Sequence, residues 1–234
     1  MNVGVLVFPG SNCDRDCHHV LTNVLGLEAR YVWHRDSSLD GLDAVVVPGG
    51  FSYGDYLRCG AVSKLSPIMD SVAKFAADGG PVIGICNGFQ ILLECGLLPG
   101  AMLRNASLRF MCKTVNLRIA TTRTPFTARY RPGEVIELPI ANAEGNYFID
   151  DDGLARLRDE DRIVFEYCDA EGATTADANP NGSVANIAGI CNARGNVVGL
   201  MPHPERAAEA VLGSTDGRRV FEGLLDRSAG GGAP

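Results

Sequence analysis

Strand-like and helix-like segments alternate through the first half of the chain, and this alternation most constrains the fold. The strand-like segments NVGVLVF, LDAVVVPGGF and PVIGI are apolar at nearly every position, and ARYVWH is a more mixed fourth. Helix patterns run from Ser11 or Asn12 to about Leu25, over 61–77, and through NGFQILLEC up to Gly96. A strand that is apolar on both faces needs helices on both sides, which is typical of a parallel sheet.

The second half of the chain has a different pattern, in which strand-like segments are joined by turns. They are CKTVNLRIA, GEVIELPIA, RIVFEYC and VANIAGICNARGNVVGLM. We therefore predict an α/β fold: a three-layer, flavodoxin-like sandwich with a mostly parallel central sheet and added antiparallel strands in the second half. A last helix is predicted from Gly217 to Arg227, so the domain spans 1–227, and 228–234 are predicted to form a flexible C-terminal tail.

The charge and the apolar pattern argue against several classes of partner. The 234 residues carry a formal charge of -7 and have a pI of about 5.1. No run of Lys and Arg is clustered as phosphate binding requires, so we expect no nucleic-acid partner and no anionic membrane surface. No apolar run approaches the length of a membrane span. The start MNVGVLVFPG has no cationic segment typical of a signal peptide.

Eight cysteines are scattered along the chain. A chain of this length does not need disulfides, so we expect reduced thiols and a soluble, cytoplasmic protein. Cys13, Cys17, His18 and His19 suggest a metal site as an alternative, but no second ligand pair has zinc-finger spacing. We interpret the thiols as helix-packing side chains and expect no metal. No G-x-x-x-x-G-K-[ST] motif occurs, so we expect no ATP site in this chain.

The sequence GICNG places Cys86 between Gly84 and Gly88, where an apolar strand ends and a helix begins. This is the cysteine version of the G-x-S-x-G nucleophile elbow, a tight turn that leaves no room for side chains beside the nucleophile. The N-terminus of the following helix stabilises a thiolate, and the N–H of Asn87 is placed to stabilise an oxyanion. A buried structural cysteine is the alternative, but the complete elbow favours a nucleophile.

A thiol nucleophile of this kind needs a base, and the chain has four histidines. His203 lies in GLMPHPER, after an apolar strand and between two prolines that stiffen the loop. Glu205, two residues further on, can orient the imidazole and stabilise its charged form. His18 and His19 lie within a helix pattern, and His34 ends a strand without special neighbours. The alternative for His203 is a surface histidine with an accidental acidic neighbour.

A glycine-rich loop follows the third strand-like segment, in VVVPGGFSYGDYLRCGA. It lies at the carboxyl edge of the predicted sheet, where open α/β sheets bind ligands. Gly49 and Gly50 can turn backbone N–H groups toward a substrate oxygen, and Asp55 and Arg58 are nearby polar candidates. The alternative is an ordinary turn between a strand and a helix.

Five segments of the chain belong together in this order: FPGSNCDRD, PGGFSYGDYLRCGA, GICNGFQIL, LPIANAEGNYF and GLMPHPERA. With them the chain resembles the class I (triad) glutamine amidotransferases, and among these the glutaminase subunits of a purine-biosynthetic synthase. The resemblance covers nearly the whole chain except its C-terminal tail. One departure is Ala143 in IANAEG, where family members commonly carry glycine, so the backbone of that loop can differ.

The resemblance implies a role for each site residue. Cys86 would be the nucleophile, His203 the base and Glu205 the carboxylate that orients it. Oxyanion donors would lie at Asn87 and Gly50. The substrate would be glutamine, which the enzyme would hydrolyse to glutamate and ammonia through a cysteinyl thioester.

The resemblance also implies partners. A large synthetase subunit would use the ammonia, with ATP and Mg bound there and no cofactor in this chain, and a small accessory subunit would complete the assembly. The residues alone leave two other functions open: a cysteine hydrolase or peptidase that uses Cys86 and His203, and a catalytically silent homologue that acts as a scaffold. The intact set of Cys86, His203 and Glu205 weighs against the silent homologue.

Overall fold

The computed structural model describes residues 1–229, which form eleven β-strands and five α-helices. The strands are β1 (Asn2–Val7), β2 (Glu28–Trp33), β3 (Ala44–Val47), β4 (Val82–Ile85), β5 (Ala101–Leu103), β6 (Met111–Ile119), β7 (Val135–Asn142), β8 (Asn146–Phe148), β9 (Ile163–Cys168), β10 (Ile187–Cys191) and β11 (Val197–Leu200). The helices are α1 (Asp14–His19), α2 (Ile68–Ala77), α3 (Asn87–Glu94), α4 (Asp151–Asp159) and α5 (Arg218–Ala229). A π-helical segment, Val20–Val24, continues α1, and 3-10 segments lie at Ser52–Asp55, Ser63–Leu65, Val184–Asn186, Pro204–Arg206 and Ala210–Leu212.

Nine of the strands form one mixed sheet in the order β2-β1-β3-β4-β11-β10-β9-β6-β7. The first five in this order are parallel to one another, and the remaining four join as antiparallel neighbours. The predicted α/β fold is therefore confirmed, with a parallel part built mainly from the first half of the chain and antiparallel strands from the second. A separate two-stranded sheet, β5 with β8, was not predicted.

The centre of the sheet is buried on both faces, as its sequence predicts. All four residues of β3 and all four of β4 are buried, and burial of each aliphatic side chain of this size contributes about 1.5–3 kcal/mol. Helix α3 packs against β3, β4 and β11. A Cβ at Gly199 of β11 would overlap the ring of Phe89 of α3. This close-packed centre holds the strand ends, where the predicted site residues lie.

Two helices begin later than the sequence predicted. Helix α1 begins at Asp14 after Cys13 and has no side-chain cap, so neither Ser11 nor Asn12 caps it; the Ser11 hydroxyl instead accepts the Phe8 N–H at 3.0 Å. The helix predicted over 61–77 is interrupted: Ser66 is extended, with ψ of 132°, and α2 begins after Pro67. The proline ring disfavours the helical conformation at the residue before it.

The last helix, α5, runs to Ala229, whereas the sequence predicted an end at Arg227. It includes the first two residues of the predicted tail, and 230–234 lie outside the described residues. Within residues 1–229, no helix is long and apolar enough to span a membrane.

Candidate active site

Cys86 occupies a sharp turn between β4 and α3, as the elbow motif predicted. Its backbone has φ of 49° and ψ of -106°, a conformation that L-residues rarely adopt and that costs about 1–3 kcal/mol. The adjacent glycines have no space for a side chain. A Cβ at Gly88 would overlap the Val47 carbonyl oxygen, and one at Gly84 would lie 2.7 Å from the Gly88 backbone. The turn therefore holds the thiol at the carboxyl edge of the parallel strands and at the N-terminus of α3.

The pairing of β11 with β4 brings His203 to this turn. Leu200 lies beside Ile85 in the parallel register, and the Cys86 N–H donates to the Leu200 carbonyl at 2.8 Å. The chain that leaves β11 therefore passes next to the elbow. A Cβ added to Gly49 would lie 2.9 Å from His203 Cε1 and 3.5 Å from Cys86 Cβ. The fold thus gathers the predicted nucleophile, base and glycine loop at one place.

His203 and Glu205 form a buried pair. Nδ1 of His203 lies 2.6 Å from Oε1 of Glu205, and the two side chains are 3% and 0% exposed. The backbone N–H of His203 donates to the Pro139 carbonyl at 2.8 Å, and this hydrogen bond fixes the loop against β7. Nε2 of His203 and Oε2 of Glu205 have no hydrogen-bond partner among the described residues. Nε2 is therefore available to exchange a proton with a reacting group.

Two opposing effects set the pKa of His203. Burial by itself lowers this pKa, because it disfavours the charged imidazolium. The negative charge of Glu205, together with the thiols of Cys86 and Cys13, outweighs burial and raises the pKa of His203 well above its usual value. The raised pKa favours the imidazolium form, which can stabilise a thiolate at Cys86 and donate a proton.

Two backbone N–H groups lie beside the elbow and donate to no other described residue. Asn87 begins α3, so its N–H has no partner within the helix. Gly50 has φ of 146°, and a Cβ there would lie 2.8 Å from the backbone of Ser11 and Asn12. The Ser52 N–H donates to Asn87 Oδ1 at 3.1 Å and ties the glycine loop to α3. Neither predicted oxyanion donor has an acceptor among the described residues; Asn87 directly follows Cys86, and Gly50 follows Gly49, which lies against Cys86 and His203.

The two polar candidates of the glycine loop have different surroundings. Asp55 Oδ1 accepts a hydrogen bond from the Asn87 side chain at 3.2 Å, and burial raises the pKa of the Asp55 carboxyl. Arg58 forms an ion pair with Glu94, at 2.6 Å between Nη2 and Oε2, and is 65% exposed. Asp55 therefore borders the elbow, whereas Arg58 is engaged elsewhere.

Cys13 is the residue at this site that the sequence analysis missed. Its Sγ lies 3.9 Å from His203 Nδ1 and 3.1 Å from Nη2 of Arg206, and burial raises the pKa of its thiol. The segment FPGSNC follows β1, and β1 pairs with β3 in the sheet. The loops after these two parallel strands lie at the same edge, and this adjacency was the signal that could have placed Cys13 at the site. Cys13, His203 and Glu205 offer ligand atoms within 4.8 Å of one another, a donor set that could hold a metal ion.

The other side chains of the metal alternative have separate neighbours. Cys17 is buried in the apolar core. The His18 ring stacks on Tyr31 at 4.5 Å between centroids, and His19 Nε2 lies 2.7 Å from Oε1 of Glu209. The interpretation as packing thiols is right for Cys17 and incomplete for Cys13.

One edge of the sheet carries three groups together. They are a thiol on a strained strand-to-helix turn, a buried imidazole–carboxylate pair and free backbone donors. This arrangement is typical of enzymes that carry out cysteine-dependent acyl transfer with a triad. Comparison with known proteins agrees. A family model described as a CobB/CobQ-like glutamine amidotransferase domain matches residues 1–220.

Comparison with individual relatives identifies the family within this class. The phosphoribosylformylglycinamidine synthase subunit PurQ of Koribacter versatilis is 58% identical over 229 residues, 98% of this chain and 99% of the relative. PurQ of Moorella thermoacetica is 56% identical over 226 residues, 97% of this chain and 96% of the relative. The chain belongs to the glutamine amidotransferases, and within them to the family of PurQ subunits of phosphoribosylformylglycinamidine synthase.

Solved structures agree with this membership. The structure of PurLQS from Thermotoga maritima contains a chain that is 45% identical, with a TM-score of 0.85 and coverage of 97% of this chain and 98% of that chain. A glutamine amidotransferase from Thermotoga maritima is 14% identical, with a TM-score of 0.55 over 98% of this chain and 84% of its own, and shares the fold alone. The family resemblance expected from the five sequence segments is confirmed.

Proposed function

We propose that this chain is the glutaminase subunit of a phosphoribosylformylglycinamidine synthase. It hydrolyses glutamine to glutamate and ammonia, and it supplies the ammonia to an ATP-dependent synthetase subunit in purine biosynthesis. The observation that carries the proposal is the buried His203–Glu205 pair beside Cys86 at the elbow. Membership in the family of glutamine amidotransferase subunits supports glutamine as the substrate.

The reaction begins when the Cys86 thiolate attacks the side-chain amide carbon of glutamine. A carbon–sulfur bond forms, and the carbonyl oxygen becomes an oxyanion that the N–H groups of Asn87 and Gly50 stabilise. One donor of this kind contributes about 100- to 1,000-fold to kcat. His203 then donates its proton to the amide nitrogen, the carbon–nitrogen bond breaks, and ammonia leaves the thioester.

The neutral His203 produced by that step serves the second half of the reaction. It accepts a proton from water as the water oxygen attacks the thioester carbon, and the same N–H groups stabilise the second oxyanion. The carbon–sulfur bond breaks, glutamate leaves, and the Cys86 thiolate is restored beside a protonated His203. Glu205 stabilises the imidazolium and holds its orientation throughout.

The raised pKa of His203 sets the alkaline limit of the first half-reaction. We expect kcat/KM for glutamine to persist above the ordinary histidine pKa of about 6.5 and to fall as the pH rises through the raised value, because the imidazolium is then lost. In Glu205→Gln the charge that raises this pKa is absent, so the fall begins at lower pH. Initial rates of glutamate release across pH measure the shift. An alkaline limb at the same pH in both proteins contradicts this assignment.

An exposed apolar surface on the glycine loop supports a protein partner. We name the side chains of Phe51, Tyr56, Leu57 and Leu65 the loop patch, and they are 48%, 76%, 94% and 81% exposed. These four exposed side chains all lie within 51–65, on the glycine loop and the segment that follows it, and exposed apolar surface is typical of protein interaction sites. The solved relative from Thermotoga maritima is the PurLQS assembly. We propose the large synthetase subunit as the partner at this patch and a small accessory subunit as the third component.

The cofactors belong to that partner in our proposal. ATP and Mg bind the large synthetase subunit, and this chain needs no cofactor for the thioester chemistry. We further propose a cytoplasmic location. All eight cysteines are free thiols, which is typical of a reducing compartment.

The test of the proposal is glutamate release from glutamine by the purified chain, alone and with the large synthetase subunit. We expect the subunit to raise the rate within the range of about 5- to 150-fold that is usual for coupling between sites. Leu65→Asp should lose this rise and keep the rate of the isolated chain, because a charge in the loop patch opposes docking while Leu65 lies outside the 50–57 loop and is 81% exposed. Val211→Asp is the matched control, since Val211 is 86% exposed on a different segment.

Absence of release under both conditions, from a folded chain and a competent synthetase subunit, would sink the amidotransferase proposal and favour another cysteine hydrolase. Release that the subunit raises equally in wild type and in Leu65→Asp would instead place the docking surface elsewhere.

A further inference from the structure

His34 and Tyr53 form a hydrogen-bonded contact that the sequence did not indicate. The Tyr53 hydroxyl lies 2.7 Å from His34 Nδ1 and 3.0 Å from the Ser66 hydroxyl, and His34 and Ser66 are 6% and 5% exposed. The rings of Tyr53 and His34 meet edge to face, at 88° and 5.5 Å between centroids. The expectation that His34 has no special neighbours is therefore wrong.

Tyr53 belongs to the loop that carries Gly50, and this loop has an unusual backbone. Tyr53, Asp55 and Leu57 have φ of 56°, 54° and 70°, in the left-handed region that residues other than glycine rarely adopt. A segment with three such residues persists only where its surroundings hold it in place.

Attachments from two sides hold this loop. The Ser52 N–H donates to Asn87 Oδ1 at 3.1 Å, beside the elbow. The Tyr53 N–H donates to the Pro9 carbonyl at 2.6 Å, and the Tyr53 hydroxyl reaches His34. Tyr53 thus connects the loop to the protein interior through both its backbone and its side chain.

We propose that Tyr53 and His34 are positioning residues for the oxyanion site. Their hydrogen bond holds the loop over 50–57 in the form that presents the Gly50 N–H beside Cys86. The inference rests on the proposed glutaminase function. Both residues act through Gly50 and touch no reacting atom. Without the hydrogen bond the loop relaxes toward ordinary φ values and displaces the Gly50 N–H, while the nucleophile and the base stay in place.

Tyr53→Phe, studied in the complex with the large synthetase subunit, removes the hydroxyl and keeps the ring. We expect kcat for glutamate release to fall about tenfold or more, toward the loss of one oxyanion donor, with KM within about twofold of wild type. The rate of Cys86 alkylation by iodoacetamide should be unchanged, because the thiolate displaces iodide directly and the alkylation forms no oxyanion. Tyr31→Phe is the matched control: it makes the same chemical change at a side chain on β2 that is 48% exposed and lies outside both the glycine loop and the loop patch, and it should keep the wild-type kcat.

Substitutions at His34 separate the hydrogen bond from packing. His34→Gln keeps a group that can hydrogen-bond the Tyr53 hydroxyl, and His34→Leu does not, so we expect kcat to be retained better in His34→Gln. Equal losses in the two variants overturn the proposal, as does an equal kcat in Tyr53→Phe and Tyr31→Phe. A joint loss of kcat and alkylation rate in Tyr53→Phe indicates a general structural role and overturns it too. Wild-type release in the same assay tests the glutaminase function separately.

Discussion

Cys86→Ala is expected to abolish glutamate release and glutamine-dependent synthesis, with a loss of at least about 10,000-fold. Alanine offers no electron pair for attack on the amide carbon, although the N–H donors and His203 are still present. Synthesis from added ammonium salts should continue at the wild-type rate, because the synthetase subunit then needs no glutamine hydrolysis. The measurement is product formation by the assembled complex, first with glutamine and then with ammonium chloride.

Cys112→Ala is the matched control for this experiment, because Cys112 is an exposed free thiol on β6. It should keep the wild-type rate with both nitrogen sources. If Cys86→Ala also lost the ammonia-dependent synthesis, Cys86 would be needed for assembly of the complex and not only for the chemistry. A loss in Cys112→Ala would instead indicate a second essential thiol.

His203→Ala is expected to lower kcat for glutamate release by about 1,000-fold or more, because the same imidazole protonates the leaving ammonia and activates water. Glu205→Gln should lower kcat less, by about 10- to 100-fold, since the amide oxygen can still accept a hydrogen bond from Nδ1 but carries no charge. Single-turnover rates with glutamine in the complex compare the two variants directly. Equal losses would mean that the carboxylate does more than orient and stabilise the imidazole.

Folding must be checked for both variants because the pair is buried, with side chains that are 3% and 0% exposed. Removal of His203 leaves the Glu205 carboxylate with only the Arg206 guanidinium at 4.0 Å, and breaking a buried ion pair in this way costs about 3–5 kcal/mol. His203→Gln is therefore the second variant, because it keeps a polar partner for Glu205 and still lacks a titratable base. Thermal unfolding of each variant separates loss of stability from loss of catalysis.

The elbow and the strands could be predicted because their causes are local. The apolar runs of β3 and β4 require burial on both faces, and this is what the structure has. The glycines at 84 and 88 leave little freedom around Cys86, whose strained backbone lies between a strand and a helix. These effects involve residues within a few positions of one another, so a single sequence contains them. The break in the helix before Pro67 also has a local cause, the proline ring, although the predicted helix ran through this position.

Contacts between segments that are distant in the sequence could not be predicted in this way. Cys13 lies against His203 although they are 190 positions apart, and the hydrogen bond between His34 and Tyr53 joins the residue after β2 to the glycine loop. Arg58, which is close to Asp55 in the sequence, pairs with a residue of α3. The contacts of His34 and Arg58 have no signature in the neighbouring residues, and Cys13 had only the indirect signal of its position after β1.

The sequence by itself determined the class of fold, the strained turn and the chemical groups of the triad, because periodicity and local sterics depend on neighbours in the chain. Only the tertiary structure decided which other side chains share the site. The strand order places β11 beside β4 and β1 beside β3, and the loops after these strands meet at one edge as a consequence. Packing there brings Cys13 to His203 and anchors Tyr53, because the close approach of side chains follows from strand order and register rather than from sequence spacing.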